Sequence, residues 1–334
     1  MSVIIIAEAG VNHNGDFDLA CRLADIAKQA GADYVKFQTG IPEKVISCFA
    51  EQADYQKTNT GTEESQLDMV RKIMLRKEQF APLKSYCDSI GIPFMSTPFD
   101  LESIEIVKTL GMDYMKIPSG EVTNLPYLRA VAKAGLPVIM STGMCRLGEI
   151  DEALNVLVTG GIPLSQITLL HCNTEYPTPY IDVNLRAMIT LKEAFGTRVG
   201  YSDHTPGIEI PVAAVAMGAE VIEKHFTIDK SLPGPDHLAS LSPEELKRMV
   251  ESIRHTEMAL GSPEKFPSPS ERKNMPIARK SIVAAVPIAK GDFFTAENLT
   301  VKRPGDGISP MLWDEVIGLR APKDFMPDQQ ITIK

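Results

Sequence analysis

The sequence contains no uninterrupted run approaching the roughly 20 apolar residues of a membrane-spanning helix, so no membrane span is expected. The apolar start Val3–Ala7 is cut at Glu8 with no basic leader before it, which argues against a signal peptide. Cysteine is sparse: Cys21, Cys48, Cys87, Cys145 and Cys172 make an odd set of five with no short spacing. That excludes a disulfide framework and fits a reducing cytoplasm. Positive charge is in deficit, with 34 Lys and Arg against 43 Asp and Glu and a net charge of -9. A nucleic-acid surface needs clustered cations, so an anionic ligand must find a local positive pocket instead. HExxH, CxxC and a GxGxxG turn after the first apolar run are also missing, so neither a spelled-out metal motif nor a dinucleotide fold is expected.

What is present is a repeated unit in which a short β-branched run ends on a polar residue and is followed by a helical segment. Strands are expected at Val3–Ala7, Tyr34–Phe37, Pro93–Ser96, Tyr114–Ile117, Val138–Ser141, Ile167–His171, Val199–Ser202 and Val221–His225. Amphipathic helices such as Asp18–Ala30, Leu125–Ala134, Ile150–Val158 and Pro243–Leu260 lie between or after them, and Gly31, Gly91, Gly111 and Gly135 stand where helix-stopping glycines belong. Alternating strands and helices imply a parallel sheet, and eight units over about 260 residues have the size of an α/β (β/α)8, or TIM, barrel. A long polar insertion, Glu43–Glu64, follows the second strand. The domain expectation is a barrel over 1–261, a Pro- and Ser-rich linker over 262–278, and a small domain over 279–334 with short β-like pieces SIVAAV and QITIK. The small domain is marginal alone and is expected to dock on its own barrel or on a partner's.

In a barrel all strand C-termini meet at one mouth. The residues expected there are Glu8, Lys36, Gln38, Thr97, Phe99, Lys116, Ser119, Glu121, Ser141, His171, Asn173, Ser202, His204, Glu223 and His225. Buried lysines need anionic partners, so Lys36 and Lys116 read as phosphate or carboxylate binders, or as structural partners of Glu8 or Glu121. His204 and His225 end neighbouring strands, close enough to share one ion or to be hydrogen-bonded rim residues. Cys172, also at a strand end, resembles a nucleophile only by position.

The segments EAGVNHNGD, VKFQT, STPFD, KIPSGE, STGM, HCNTEYPTP, GYSDHT, EKHFT and GPDH, in this order, closely resemble the bacterial sialic acid synthase family, which includes N-acetylneuraminate, legionaminate and pseudaminate synthases. The C-terminal ARKSIVA and VKRPGDGISP resemble its antifreeze-like SAF domain. The resemblance implies a C–C bond-forming transferase that condenses phosphoenolpyruvate with an open-chain N-acylated mannosamine-type sugar, using a divalent ion: Mn2+, with Mg2+ or Co2+ as alternatives. It implies that His204 and His225 hold the metal and that Lys36, Thr97, Lys116, Ser119, Ser141 and Ser202 contact phosphoenolpyruvate. Glu8, Gln38, Phe99, Glu121, Tyr176 and Asp236 would contact the sugar. Asn173 and Thr174 stand in reversed order from some relatives, so the resemblance leaves open which one meets the ligand. Arg303 resembles an arginine reaching into the other subunit's barrel, which implies a domain-swapped homodimer. Glu8, Glu121 and Glu223 are candidate acid–base groups beside Lys116. The expected activity is N-acetylneuraminate synthesis from N-acetylmannosamine. Its alternatives are legionaminate synthesis from 2,4-diacetamido-2,4,6-trideoxymannose and an inactive barrel carrying a carbohydrate-binding module.

Overall fold

The structure, a computed structural model, describes residues 2–61 and 64–334; residues 62 and 63, inside the expected polar insertion, lie outside the described residues. Eight parallel strands follow one another with helices between: β1 (Ile4–Gly10), β2 (Tyr34–Thr39), β3 (Phe94–Pro98), β4 (Met115–Ile117), β5 (Val138–Ser141), β6 (Ile167–Cys172), β7 (Arg198–Asp203) and β8 (Val221–His225). Their order is β3-β2-β1-β8-β7-β6-β5-β4, and the two ends of that order, β3 and β4, lie against each other to close the barrel. Each expected strand is present, most extended by one to three residues toward the polar end.

Local chemistry sets the helices. In Phe17–Ala30, Asp16 caps the N-terminus by accepting from Leu19 N–H at 3.0 Å, and Ala20, Leu23, Ala24 and Ala27 fall on one buried face. Gly31 ends it at φ 81° in the left-handed region that glycine enters without strain. In β7, Gly200 is required by space: a Cβ there would stand 2.2 Å from the Val221 carbonyl oxygen.

The period of two in each strand explains how the barrel interior becomes a site. Ile6, Met95, Ile139, Leu170 and Val221 form one inward apolar layer above the partly buried Ile4, Tyr34 and Tyr114. Two residues further along the same strands stand Glu8, Thr97, Ser141, Cys172 and Glu223, with Lys36 above Tyr34, Lys116 above Tyr114 and Ser202 above Gly200. One pleat turns a hydrocarbon plug into a polar floor. The outward faces pack on the helices in the main core.

The chain divides into two compact units, 1–261 and 262–334. In the second, residues 269–278 of the expected linker carry two one-turn helices, Pro269–Arg272 and Met275–Ala278. Antiparallel β9 (Ser281–Ala284) and β10 (Leu299–Lys302) frame a small core including Ile282, Phe294, Leu299 and Phe325. QITIK does not form the expected strand. It follows a turn at Asp328 (φ 67°) and gives only an isolated bridge from Gln330 to Val283, while Ile331 enters the core. Among the described residues no helix is long and apolar enough to cross a membrane.

Candidate active site

The mouth of the barrel opens on a cavity of about 310 Å³. Its floor is a buried quartet of opposite charges. Lys36 Nζ lies 2.8 Å from Glu8 Oε2 and 3.5 Å from Glu223 Oε2, and it donates to Thr97 Oγ1 at 2.9 Å. Lys116 Nζ donates to Ser141 Oγ at 2.6 Å and to the Ile117 carbonyl at 3.2 Å, with Glu223 Oε1 at 3.9 Å. Ser202 donates to the same Glu223 oxygen at 3.0 Å. Glu223 therefore bridges both lysines, a role that sequence reasoning divided between Glu8 and Glu121.

The electrostatics follow from this arrangement. Burial pushes Glu8 up to about 7 despite Lys36, with the neighbouring Glu223 adding to the rise. Burial also acts to raise Glu223, but Lys116 and Lys36 outweigh it and hold the group below its ordinary value. Burial acts to lower both lysines; in Lys36 the two carboxylates overcome it, whereas in Lys116 it prevails.

Beside the floor stand two buried imidazoles, His204 and His225, with ring centroids 5.3 Å apart. Burial lowers the pKa of both, so each is neutral and keeps a nitrogen lone pair. The Nδ1–H of His204 donates to the Asn173 carbonyl at 2.5 Å, which leaves Nε2 free. His225 Nδ1 is buried without a hydrogen-bond partner, 3.8 Å from Asp236 Oδ2. Tyr176 packs over both rings at 4.0 and 5.6 Å and stacks on Tyr55 at 5.1 Å. Among the described residues no group of three or more His, Cys, Asp or Glu is placed to hold a metal ion. The donor set is thus two imidazoles with open positions around them.

The remaining expected residues divide into those that face the cavity and those that do not. Gln38, Phe99, Ser119, Thr174, Tyr176 and Asp236 line it, as does the buried Cys172. The Ser119 hydroxyl accepts from Gly143 N–H at 2.9 Å and meets Cys172 Sγ at 3.2 Å. Gly143 has no room for a side chain there, since a Cβ would lie 2.8 Å from Thr174 Cγ2. Thr174 faces the cavity, whereas the Asn173 amide oxygen accepts from Glu175 N–H at 2.8 Å and shapes the turn. Glu121 is outside the lining and accepts from Asn124 at 2.5 Å. His171 is bonded to the Val183 carbonyl at 2.8 Å. Arg303 belongs to the second unit, where its Nε donates to the Ala278 carbonyl at 3.1 Å. Sequence reasoning missed Tyr55, Met69, Val70, Ile73 and Met74, which line the cavity from the segment after β2.

The buried imidazoles make a prediction for stability. Against an ordinary 6.5, burial holds His13, His204 and His237 at about 4 and His225 well below its usual value. Between those values the unfolded chain binds protons that the folded chain refuses, so stability falls as pH drops from 6.5 toward 4. For His13 alone the difference corresponds to roughly 3 kcal/mol. Glu8 and Asp236 act oppositely, their contributions being present below their ordinary values and lost as pH rises through about 7 and about 6, and Glu121 is shifted the same way, but they are outnumbered by the four imidazoles together with His171, which burial also lowers. Thermal unfolding is expected at a lower Tm near pH ~5 than near pH ~7.5; a Tm that rises on acidification contradicts this.

A closed parallel barrel with a charged quartet and two neutral imidazoles at the C-terminal ends of its strands defines a barrel enzyme, with its chemistry at the mouth. The chain belongs to the NeuB family, whose pattern matches residues 23–265, and residues 279–334 match the SAF domain. It is 53% identical over 328 residues to the N,N'-diacetyllegionaminic acid synthase of Campylobacter jejuni, covering 98% of each chain. The Legionella pneumophila enzyme of the same name is 48% identical, over 96% of this chain and 90% of the relative. A crystal structure of N-acetylneuraminic acid (sialic acid) synthetase from Leptospira borgpetersenii in complex with citrate superposes with a TM-score of 0.71 at 37% identity, covering 82% of this chain and 90% of that one.

Proposed function

We propose that this protein condenses phosphoenolpyruvate with open-chain 2,4-diacetamido-2,4,6-trideoxymannose and water, releasing phosphate and forming N,N'-diacetyllegionaminate. The observation that carries the choice of sugar is the 53% and 48% identity to two legionaminic acid synthases against 37% to the sialic acid synthetase. This reverses the order expected from the sequence motifs, which placed N-acetylneuraminate first. The floor motifs read only the chemistry these synthases share, so they do not rank the sugars.

Lys36 and Lys116 hold the phosphate and carboxylate of phosphoenolpyruvate by charge-assisted hydrogen bonds, with Thr97, Ser119, Ser141 and Ser202 supplying hydroxyls around them. His204 and His225 fit a divalent cation, Mn2+ or a similar ion, through their two free ring nitrogens. Held there, such an ion would supply Lewis-acid polarisation of the sugar aldehyde. C3 of phosphoenolpyruvate forms the new bond to the aldehyde carbon, water adds at C2, and the C2–O bond to phosphate breaks. The Glu8–Glu223 pair lies within the lysine cluster and is placed to take the proton of that water, which the outlying Glu121 is not. Gln38, Phe99, Tyr176 and Asp236 orient the sugar. The protein acts as a homodimer in which Arg303 of one subunit reaches the partner's sugar.

A coupled phosphate-release assay with both sugars tests this reading. A kcat/KM higher for the trideoxy sugar is expected. Preference for N-acetylmannosamine restores N-acetylneuraminate synthesis, and sugar binding with no phosphate release leaves an inactive barrel.

A further inference from the structure

The cavity has two chemically different halves. Its floor is the charged quartet, but one side wall is made by the helix Gln66–Ile73 and the residue after it. That helix is amphipathic: Asp68 and Arg71 face outward and pair with each other at 2.9 Å, while Met69, Val70, Ile73 and Met74 face the cavity. None of these four carries a hydrogen-bond donor in its side chain.

The wall is fixed in place rather than draped over the mouth. Gly15, at φ 73°, lies so close to the helix end that a Cβ would stand 2.8 Å from the Lys72 carbonyl oxygen. The Asn59 amide donates to the Pro235 carbonyl at 2.7 Å and ties the preceding short helix, Asp54–Thr60, to the loop after β8. Met74 and Phe99 both flank Gly40, where a Cβ would touch Met74 Cε and Phe99 Cβ, each at 3.5 Å. Gly40 lies four residues beyond Lys36, just past the end of β2, so this apolar corner sits well above the floor. The neighbouring Gln56 has its amide oxygen engaged, accepting from Ala53 N–H at 3.0 Å and from Gln66 at 3.3 Å, which leaves its NH2 group as the part able to meet a ligand.

We infer that Met69, Val70, Ile73 and Met74 form the specificity wall that reads the C4–C6 end of the sugar, accepting a 6-methyl and a 4-acetamido methyl group and disfavouring hydroxyls. This rests on the proposed reaction, in which the aldehyde carbon must meet phosphoenolpyruvate at the floor. The far end of the extended sugar then falls against the wall. A 6-hydroxyl or 4-hydroxyl there loses its water without gaining a partner.

Val70→Thr and Met74→Gln each place a hydrogen-bonding group on the wall with little change of volume. Each is expected to reduce the kcat/KM preference for the trideoxy sugar over N-acetylmannosamine by about 10-fold or more, within the range that a single apolar-to-polar contact discriminates. The KM for phosphoenolpyruvate should stay within about 2-fold, because the floor is untouched. Circular dichroism establishes that each variant is folded, and either variant alone decides. Wild-type preference for the trideoxy sugar retained in a folded variant overturns the wall and leaves the reaction standing. Wild-type preference for N-acetylmannosamine overturns the substrate reading and the wall together.

Discussion

Replacing Lys116 by methionine is expected to lower kcat/KM for phosphoenolpyruvate by about 10²- to 10³-fold, in line with the loss of one preorganised charge-stabilising group from a dry site. Lys116 is 2% exposed, and its nearest carboxylate oxygen, on Glu223, is 3.9 Å away, too far for a direct hydrogen bond. Lys36, by contrast, sits 2.8 Å from Glu8 and is matched by it. Lys116 is therefore the cation without a hydrogen-bonded carboxylate, held by Ser141 at 2.6 Å and placed to take that bond from a bound anion. Methionine keeps most of the stem and removes the ammonium, so the loss should appear in phosphate release with the fold retained, as judged by Tm. Arginine should not rescue it, because a planar fork does not fit where a compact ammonium sits between a hydroxyl and a main-chain carbonyl. A wild-type rate in the methionine variant would make Lys116 a structural partner of Glu223 and nothing more.

The second large effect is expected at His225. Its alanine variant should lose turnover by about 10³-fold or more, the several kcal/mol that a Lewis acid contributes at a developing oxyanion, and should bind Mn2+ far more weakly in a titration followed by electron paramagnetic resonance. His225 carries a buried ring nitrogen without a hydrogen-bond partner, an arrangement that costs free energy unless something occupies it. His204 is its counterpart, with the other ring nitrogen committed to Asn173. Chelation of the wild-type protein should remove activity and Mn2+ should restore it. Full activity in chelator would make both imidazoles structural.

Much of the barrel and its floor was legible because the strands alternate strictly. Ile6 then Glu8, Ile139 then Ser141, and Val221 then Glu223 then His225 place apolar and polar residues on one face, and a period of two leaves no choice about which side they share. Pairing within the floor was not legible. Glu223 and Glu121 are both acidic residues near strand ends, and only the β7–β8 register, which sets Ser202 opposite Glu223, separates the bridging carboxylate from the outlying one. The wall was hidden for a different reason. The segment after β2 reads as polar because Asp68, Arg71 and Lys72 are interleaved with Met69, Val70 and Ile73, and an amphipathic helix does not say which cavity its apolar side will meet. The preferred sugar was likewise invisible in the floor motifs, since they report the shared reaction and not the far end of the substrate.

The register that puts Glu8 opposite His225 joins the first strand to the eighth. Ribosomal synthesis delivers these two partners more than 200 residues apart, so a nascent chain halted before β8 exposes the unpaired margins of β1 and β7, each able to recruit a foreign strand. The last barrel strand to emerge thus brings in Glu223 and His225 and seals the seam in one event, and a chain cut short before it would need chaperone shelter rather than surviving as a weaker catalyst.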